Sequence, residues 1–258
     1  MPPISDVKLL DCMEGMAAYP DKFFSLALVD PPYGIGQGAL KVRSRSFKKD
    51  GTPIVKFDKR SGSQILVKDR QYGHGYFDNE APGVEYFEEL RRVSKNQIIW
   101  GANHFISKIP FDSSCWIVWN KINGETDQAD SELAWTSFKS AVRNFDFMWN
   151  GFTQGSFKNG RVNQGNKSLC ETRIHANQKP VALYEWLLHN YAKPGDKILD
   201  THLGSQSSRI AAYKMGFDFY GFEIDKEYFD AGDKRFRASI AMPLFDSVQN
   251  VAEQAKLF

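Results

Sequence analysis

The last third of the chain constrains the fold most tightly. Lys197-Ile198-Leu199-Asp200 is a short apolar stretch ending on an acid. A loop around Gly204 follows, then a helical segment from about Ser207 to Lys214 that stops by Gly216. A second apolar stretch, Phe217 to Phe222, ends at Glu223, and another helix runs from Lys226 to about Ile240. Strand, loop, helix, strand in this order is the pattern of a right-handed crossover between parallel strands. Parallel strands are buried on both faces, so helices must cover the sheet above and below. The fold class that follows is α/β, doubly wound, with a mostly parallel Rossmann-like sheet.

The rest of the chain supplies more strands of the same kind. Phe23 to Val29 is a near-continuous apolar run, the signature of a strand with no wet face. It stops at Asp30 because two prolines follow and cannot extend a central ladder. Val7-Leu10, Gln97-Gly101 and Cys115-Trp119 read as further strands, and Val142-Trp149 alternates like a single strand with one face in water. Val84, Phe87, Leu90 and Val93 fall on one face of a helix. Pro180 suits the first turn of another helix, running to about Ala192. At 258 residues the expectation is one domain, 1–258, with a basic insert at about 37–80 and a polar region at about 147–174. Within them, the stretches from Lys41 to Gly75 and from Asn150 to Cys170 read as long, mobile loops.

Composition excludes some classes. No run of about 18 apolar residues exists, so no membrane span is expected. The start, Met1-Pro2-Pro3, lacks the basic-then-apolar pattern of a signal peptide. Cys12, Cys115 and Cys170 are scattered and odd in number, with neither metal-ligand spacing nor a disulfide framework, which fits a reducing cytoplasm. A net charge of +2 does not by itself announce a nucleic-acid partner, but its distribution is uneven. Ten lysines and arginines between Lys41 and Gly75, among them Lys48, Lys49, Lys59 and Arg60, stand against three aspartates. The segment from Asn150 to Arg173 adds Lys158, Arg161, Lys167 and Arg173 among Gly, Asn, Gln and Ser.

Two places carry candidate chemistry. After Asp200, the loop Thr201-His202-Leu203-Gly204-Ser205-Gln206 opens a helix, where a glycine lets backbone approach a ligand and free N–H groups favour an anion. Glu223, about 20 residues on at the end of the next strand, is placed to bind two ribose hydroxyls. This reads either as a nucleotide-like cofactor site or as a tight strand-to-helix turn. The other place is Asp30-Pro31-Pro32-Tyr33, directly after the buried strand. A carboxylate and a peptide carbonyl there offer two hydrogen-bond acceptors, and Tyr33 offers a flat face. Gly34, Gly36 and Gly38 imitate a dinucleotide fingerprint but lack a following helix, and read as a hinge.

The tetrapeptide resembles the catalytic motif of the DNA amino-methyltransferases, Asp/Asn/Ser-Pro-Pro-Tyr at the carboxyl end of a sheet strand. The Asp form is the adenine-N6 type. His175-Ala176-Asn177-Gln178-Lys179-Pro180 is similar to the family's His-x-Thr-Gln-Lys-Pro segment, and Trp116 to Lys121 looks like a later core strand. Catalytic motif first and cofactor motif last is the permuted β arrangement. The resemblance implies transfer of a methyl group from S-adenosyl-L-methionine to adenine N6 in a specific DNA sequence, on a base flipped from the duplex. Asp30, Pro31, Pro32 and Tyr33 would be catalytic. Asp11, Asp30, His175, Gln178, Lys179, Asp200, His202, Gly204, Ser205, Gln206 and Glu223 would surround the cofactor, with Lys179 at its carboxylate. The region 147–174 would recognise the target, and Lys48, Lys49, Lys59, Arg60, Lys158, Arg161, Lys167 and Arg173 would contact DNA. The family's cofactor loop usually reads Phe-x-Gly-x-Gly, so His202 and Gln206 depart from it.

Alternatives stay open at this point. A cytosine-N4 methyltransferase would have the same fold and mechanism. A DNA-binding protein deficient in transfer would find its support in the altered loop. Cytosine-C5 chemistry uses a cysteine after a proline, and none of the three cysteines follows one. The basic stretch is either a DNA contact or a solvated charged loop. Gln254-Ala255-Lys256-Leu257-Phe258 resembles the Gln-x-x-Leu-Phe tail that docks bacterial replication proteins on the sliding clamp, or is a simple terminus. Homodimers are common among relatives of this arrangement.

Overall fold

A computed structural model describes residues 2–35, 80–109, 111–123, 129–150, 153–156, 162–163, 170–175 and 177–241. The elements in chain order begin with β1 (Ser5–Leu9), α1 (Cys12–Ala17), β2 (Phe24–Val29), α2 (Val84–Val93) and β3 (Ser94–Trp100). Next come β4 (Trp116–Asn120), β5 (Ser131–Thr136), β6 (Arg143–Asp146), β7 (Met148–Asn150), β8 (Thr153–Gly155) and β9 (Val162–Asn163). The chain continues through α3 (Val181–Tyr191), β10 (Lys197–Asp200), α4 (Ser207–Lys214), β11 (Asp218–Glu223) and α5 (Lys226–Ala241). Eight strands make one sheet in the order β1-β11-β10-β2-β3-β5-β4-β6, and β7-β8-β9 make a small second sheet. In the large sheet only β5 runs against its neighbours, pairing antiparallel with β3 and β4.

The expected doubly wound sheet is present, and the side-chain alternation shows why both faces need helices. Leu26, Leu28, Ile98, Trp100, Ile198 and Phe219 point into one apolar cluster, together with Leu183, Leu187 and Leu188 of α3 and Ile210 of α4. Their strand neighbours Ala27, Val29, Ile99, Leu199 and Tyr220 point into the other, with Met16 of α1 and Tyr86, Phe87, Leu90 and Val93 of α2. A strand with successive residues in two different cores has no wet face, as the unbroken apolar runs require. The chain enters α2 from β2 and returns as β3 on one side. It enters α4 from β10 and returns as β11 on the other side. Adjacent parallel strands β10 and β2 therefore wind in opposite directions, and ligands of open α/β sheets bind at the carboxyl ends of such a pair.

Several local expectations needed correction. Val142-Trp149 is two strands, because the chain leaves the large sheet after Asp146 and Met148 opens the small one. The polar region at 147–174 holds that small sheet, so it is not simply a loop. Trp149 is buried there, and its Nε1 donates to the Gln178 carbonyl at 2.7 Å. The short helix α1 and the strand β5 were not anticipated. Among the described residues no helix is long and apolar enough to cross a membrane. The insert at 37–79, Gly36, Gly38 and the terminal Gln254–Phe258 lie outside the described residues.

Candidate active site

Four carboxylates follow the ends of four adjacent parallel strands. Asp11 comes just after β1, Glu223 ends β11, Asp200 ends β10 and Asp30 follows β2. The register sets Asp30 and Glu223 at one height, two residues beyond Asp200 and two short of Asp11: Leu9 pairs with Glu223, Asp200 with Gly221 and Leu199 with Ala27. Because β5 is antiparallel, its first residues lie at this same edge, and that brings Glu132 into the group.

The tetrapeptide is held by side chains from distant parts of the chain. Tyr33 Oη donates to Asp30 Oδ1 at 2.7 Å, and Lys179 Nζ lies 2.5 Å from Asp30 Oδ2. The same ammonium donates to Tyr33 Oη at 3.1 Å and sits 3.1 Å from Glu132 Oε2, whose other oxygen meets Lys121 Nζ at 2.5 Å. Lys179 is buried, whereas the Asp30 side chain keeps 19% of its surface open. Burial raises the Asp30 pKa, the nearby Glu132 charge adds to that, and Lys179 opposes it. Burial would raise Glu132 too, but the Lys179 and Lys121 ammonium groups outweigh it and bring that carboxyl down to about 2. Burial lowers Lys179, and its two carboxylate partners more than compensate, so it stays charged.

Tyr33 is oriented by the turn after β3. Its ring stacks on His104, with centroids 5.0 Å apart and planes 15° from parallel. Gly101 lies against the same ring with φ +68°, and a Cβ there would come within 2.1 Å of a Tyr33 ring carbon. Glycine is thus needed twice at this position, for its left-handed backbone and for the space.

The second half of the edge is the loop after β10. Gly204 has φ +46°, and its N–H donates to Glu223 Oε2 at 2.7 Å, while Glu223 Oε1 accepts from Asp225 N–H at 2.9 Å. A Cβ on Gly204 would point toward the His175 ring, 3.9 Å away. His175 packs edge-on against Tyr228, with centroids 4.3 Å apart. His202 Nδ1 lies 2.9 Å from Thr201 Oγ1, which is 2.6 Å from Tyr86 Oη, and the His202 ring meets Tyr86 edge-on. Burial brings both His175 and His202 down to about 4, so both are neutral imidazoles at pH 7. Asp200 is buried and its pKa rises to about 7; it accepts from His202 N–H and Ser208 Oγ.

Other expected cofactor residues make internal contacts in this structure. Asp11 caps α1, accepting from Met13 and Glu14 N–H groups. The Gln178 side chain accepts from Ile174 N–H and donates to the Thr172 carbonyl, folding its own segment. Ser205 Oγ pairs with Ser207 Oγ at 3.1 Å. Gln206 is fully buried and turns away toward α5, donating to the Phe229 carbonyl and accepting from Arg209 Nη1. Lys179, expected at a cofactor carboxylate, joins the Asp30 cluster instead. Of the expected DNA contacts only Arg173 is among the described residues. It donates to the Trp149 carbonyl at 2.5 Å and lies 4.9 Å over that ring. Lys48, Lys49, Lys59, Arg60, Lys158, Arg161 and Lys167 lie outside them.

Sequence reasoning missed Glu132, Lys121, Gly101, His104 and Tyr86. Glu132 left one usable signal, an acid directly before an apolar stretch, Leu133-Ala134-Trp135.

An open parallel sheet with acids along its carboxyl edge, a glycine loop at the switch point and a hydrogen-bonded Asp-Pro-Pro-Tyr turn beside it defines a group-transfer enzyme of the methyltransferase kind. The family model described as DNA methylase, spanning N6 and N4 types, matches residues 24–234, and the chain belongs to that family. M.HinfI, a type II methyltransferase of Haemophilus influenzae, is 24% identical over 261 residues, covering 88% of this chain and 67% of its own length. The solved complex of M1.HpyAVI with SAM superimposes with a TM-score of 0.51 at 20% identity, over 89% of this chain and 98% of that one. PvuII DNA methyltransferase, described as cytosine-N4-specific, superimposes with a TM-score of 0.51 at 13% identity, over 92% and 88%. Likeness at these identities is likeness of fold.

Proposed function

We propose that this DNA methyltransferase moves a methyl group from S-adenosyl-L-methionine to the N6 amino group of adenine in a specific DNA sequence. The observation that carries the reading is the Asp30 carboxylate, partly open, braced by Tyr33 and Lys179, and level with the Gly204–Glu223 loop. The residues at that loop fit the cofactor. Glu223 has the acceptor chemistry for a ribose diol, and Gly204 leaves a gap beside His175 that a Cβ would narrow. Bound there, the cofactor supplies an electrophilic methyl group on a sulfonium.

An exocyclic amino nitrogen is a poor nucleophile because its lone pair is delocalised into the ring. Asp30 and the Pro31 carbonyl accept its two hydrogens and bias the nitrogen toward a tetrahedral form, which frees the lone pair for direct in-line attack. Each Asp30 oxygen has a second lone pair left after its contact with Tyr33 or Lys179. Its raised pKa strengthens it as an acceptor and suits it to take the proton that the methylated amine must lose. Tyr33 presents its ring to a base flipped out of the duplex, a contact contributing about 1–3 kcal/mol.

Asp30→Ala tests the roles. Lys179 keeps Glu132 as a partner, so the fold is expected to survive, while methyl transfer falls by at least roughly 100-fold. Labelled-methyl incorporation into DNA reads the loss. Activity near wild type in a folded variant contradicts the assignment.

A further inference from the structure

Glu132 lies in none of the segments that resemble family motifs, yet it reaches the reacting carboxylate through one intervening side chain. It stands second in β5, 3.1 Å from the Lys179 ammonium, which is itself 2.5 Å from Asp30. Its other oxygen is anchored by Lys121, at 2.5 Å, immediately after β4. The four charges alternate, Lys121, Glu132, Lys179, Asp30, and together sum to zero. Lys179 is 2% exposed, so its position is dictated by these partners and by the Tyr33 hydroxyl rather than by water.

We propose that Glu132 is a positioning residue for methyl transfer, dividing the Lys179 ammonium with Asp30 so that Lys179 orients the carboxylate without fully neutralising it. The inference rests on the methyltransferase reading. A carboxylate that holds an ammonium alone is a weaker acceptor; one that shares it stays basic enough to draw on an amino hydrogen. Lys121 sets the balance from the far end, because whatever it withdraws from Glu132 returns Lys179 to Asp30. The other titratable groups facing Asp30, among the described residues, are Tyr33, Tyr86, Tyr184 and Asp200. The three phenols are pushed up well above 10 by burial and stay neutral. Asp200, brought up to about 7, adds a charge only toward neutral pH.

Two substitutions separate this role from a structural one because they act in opposite directions. Transfer requires ionised Asp30, so activity is lost as pH falls through its pKa. Glu132→Gln removes the competing charge and gives Lys179 wholly to Asp30. The acid limb of kcat then moves down by roughly one pH unit, and kcat on the plateau falls about tenfold, with cofactor and DNA Kd unchanged. Lys121→Gln leaves Glu132 to pull harder on Lys179, and its limb moves up. Glu132→Asp, which keeps the charge, restores most of the rate. Carbon-13 NMR titration of the Asp30 carboxyl, assigned by its loss in Asp30→Asn, reads both shifts without turnover and without cofactor. Limbs and titrations that do not move, or that move the same way in both variants, overturn the proposal. If Glu132→Gln does not fold, the Lys121→Gln shift decides alone. A wild-type protein that transfers no methyl group to any DNA overturns the methyltransferase reading, and the proposal with it.

Discussion

At the scale of single residues, Lys179 organises the site. One buried ammonium ties Asp30, Tyr33 and Glu132 together, which the sequence separates by 146 positions in the case of Tyr33 and Lys179. Asp30, Tyr33 and Lys179 were each legible as members of motifs, but not their meeting, because a motif records order along the chain and not distance in the fold. Gly101 was illegible for a related reason. A glycine closing a strand reads as an ordinary turn until the ring packed on it is known. Gly101→Ala is expected to displace Tyr33, since the new Cβ would come within 2.1 Å of the ring and the backbone already has φ +68°. A ring moved by about 1 Å costs on the order of 100-fold in turnover. Cofactor affinity, on the proposal that the Gly204–Glu223 loop sets it, should hold, and kcat with a separate binding isotherm checks both. Unchanged kcat would mean that Tyr33 is not held from this side.

At the scale of elements, the helices α2 to α5 and the apolar strands were readable within a residue or two, except that β3 starts at Ser94, three residues before the expected Gln97. Their periodicity runs over several turns, and two cores demand it. The failures share a cause. Helix α1 has six residues, too few to display a period, and β5 opens on Ser131-Glu132, polar residues wanted by the site rather than by the sheet. The altered cofactor loop shows the same limit. Gln206, where the resembled loop pattern has glycine, takes the left-handed φ of 59° at the N-cap position of α4, without a side-chain capping bond. Its side chain is pinned by Phe229 and Arg209, in space left by the missing Cβ of Gly232. The Gln206 side chain is therefore accommodated by α5. Gly232→Ala should destabilise the protein by about 1–3 kcal/mol through overpacking, and Gln206→Gly in the same chain should recover most of it. Thermal unfolding of the three variants checks the coupling, and simple additivity would sink it.

At the scale of the molecule, the permuted order of segments creates the active site. The strands that lead to the proposed catalytic tetrapeptide and the proposed cofactor loop, β2 and β10, lie far apart in sequence and side by side in the sheet. The α/β class followed from one crossover unit, whereas the register that levels Asp30 with Glu223 is a property of pairing that local patterns do not encode. The basic stretch after Tyr33 remains a prediction from charge alone. Neutralising Lys48, Lys49, Lys59 and Arg60 together should weaken DNA binding. It should also flatten the logarithmic salt dependence, by roughly 0.9 in slope for each DNA phosphate that these side chains no longer neutralise. An unchanged slope removes this stretch from the interface.

The central claim meets its most direct test in the product. Incubating the protein with S-adenosyl-L-methionine carrying a labelled methyl group and mixed-sequence duplex DNA, then digesting to nucleosides for mass spectrometry, identifies the base that receives the label. The Asp form of the tetrapeptide, on the adenine reading proposed above, predicts labelled N6-methyladenine, lost in Asp30→Ala. Label in N4-methylcytosine would contradict the adenine assignment, and DNA bound but unlabelled would contradict the enzyme itself.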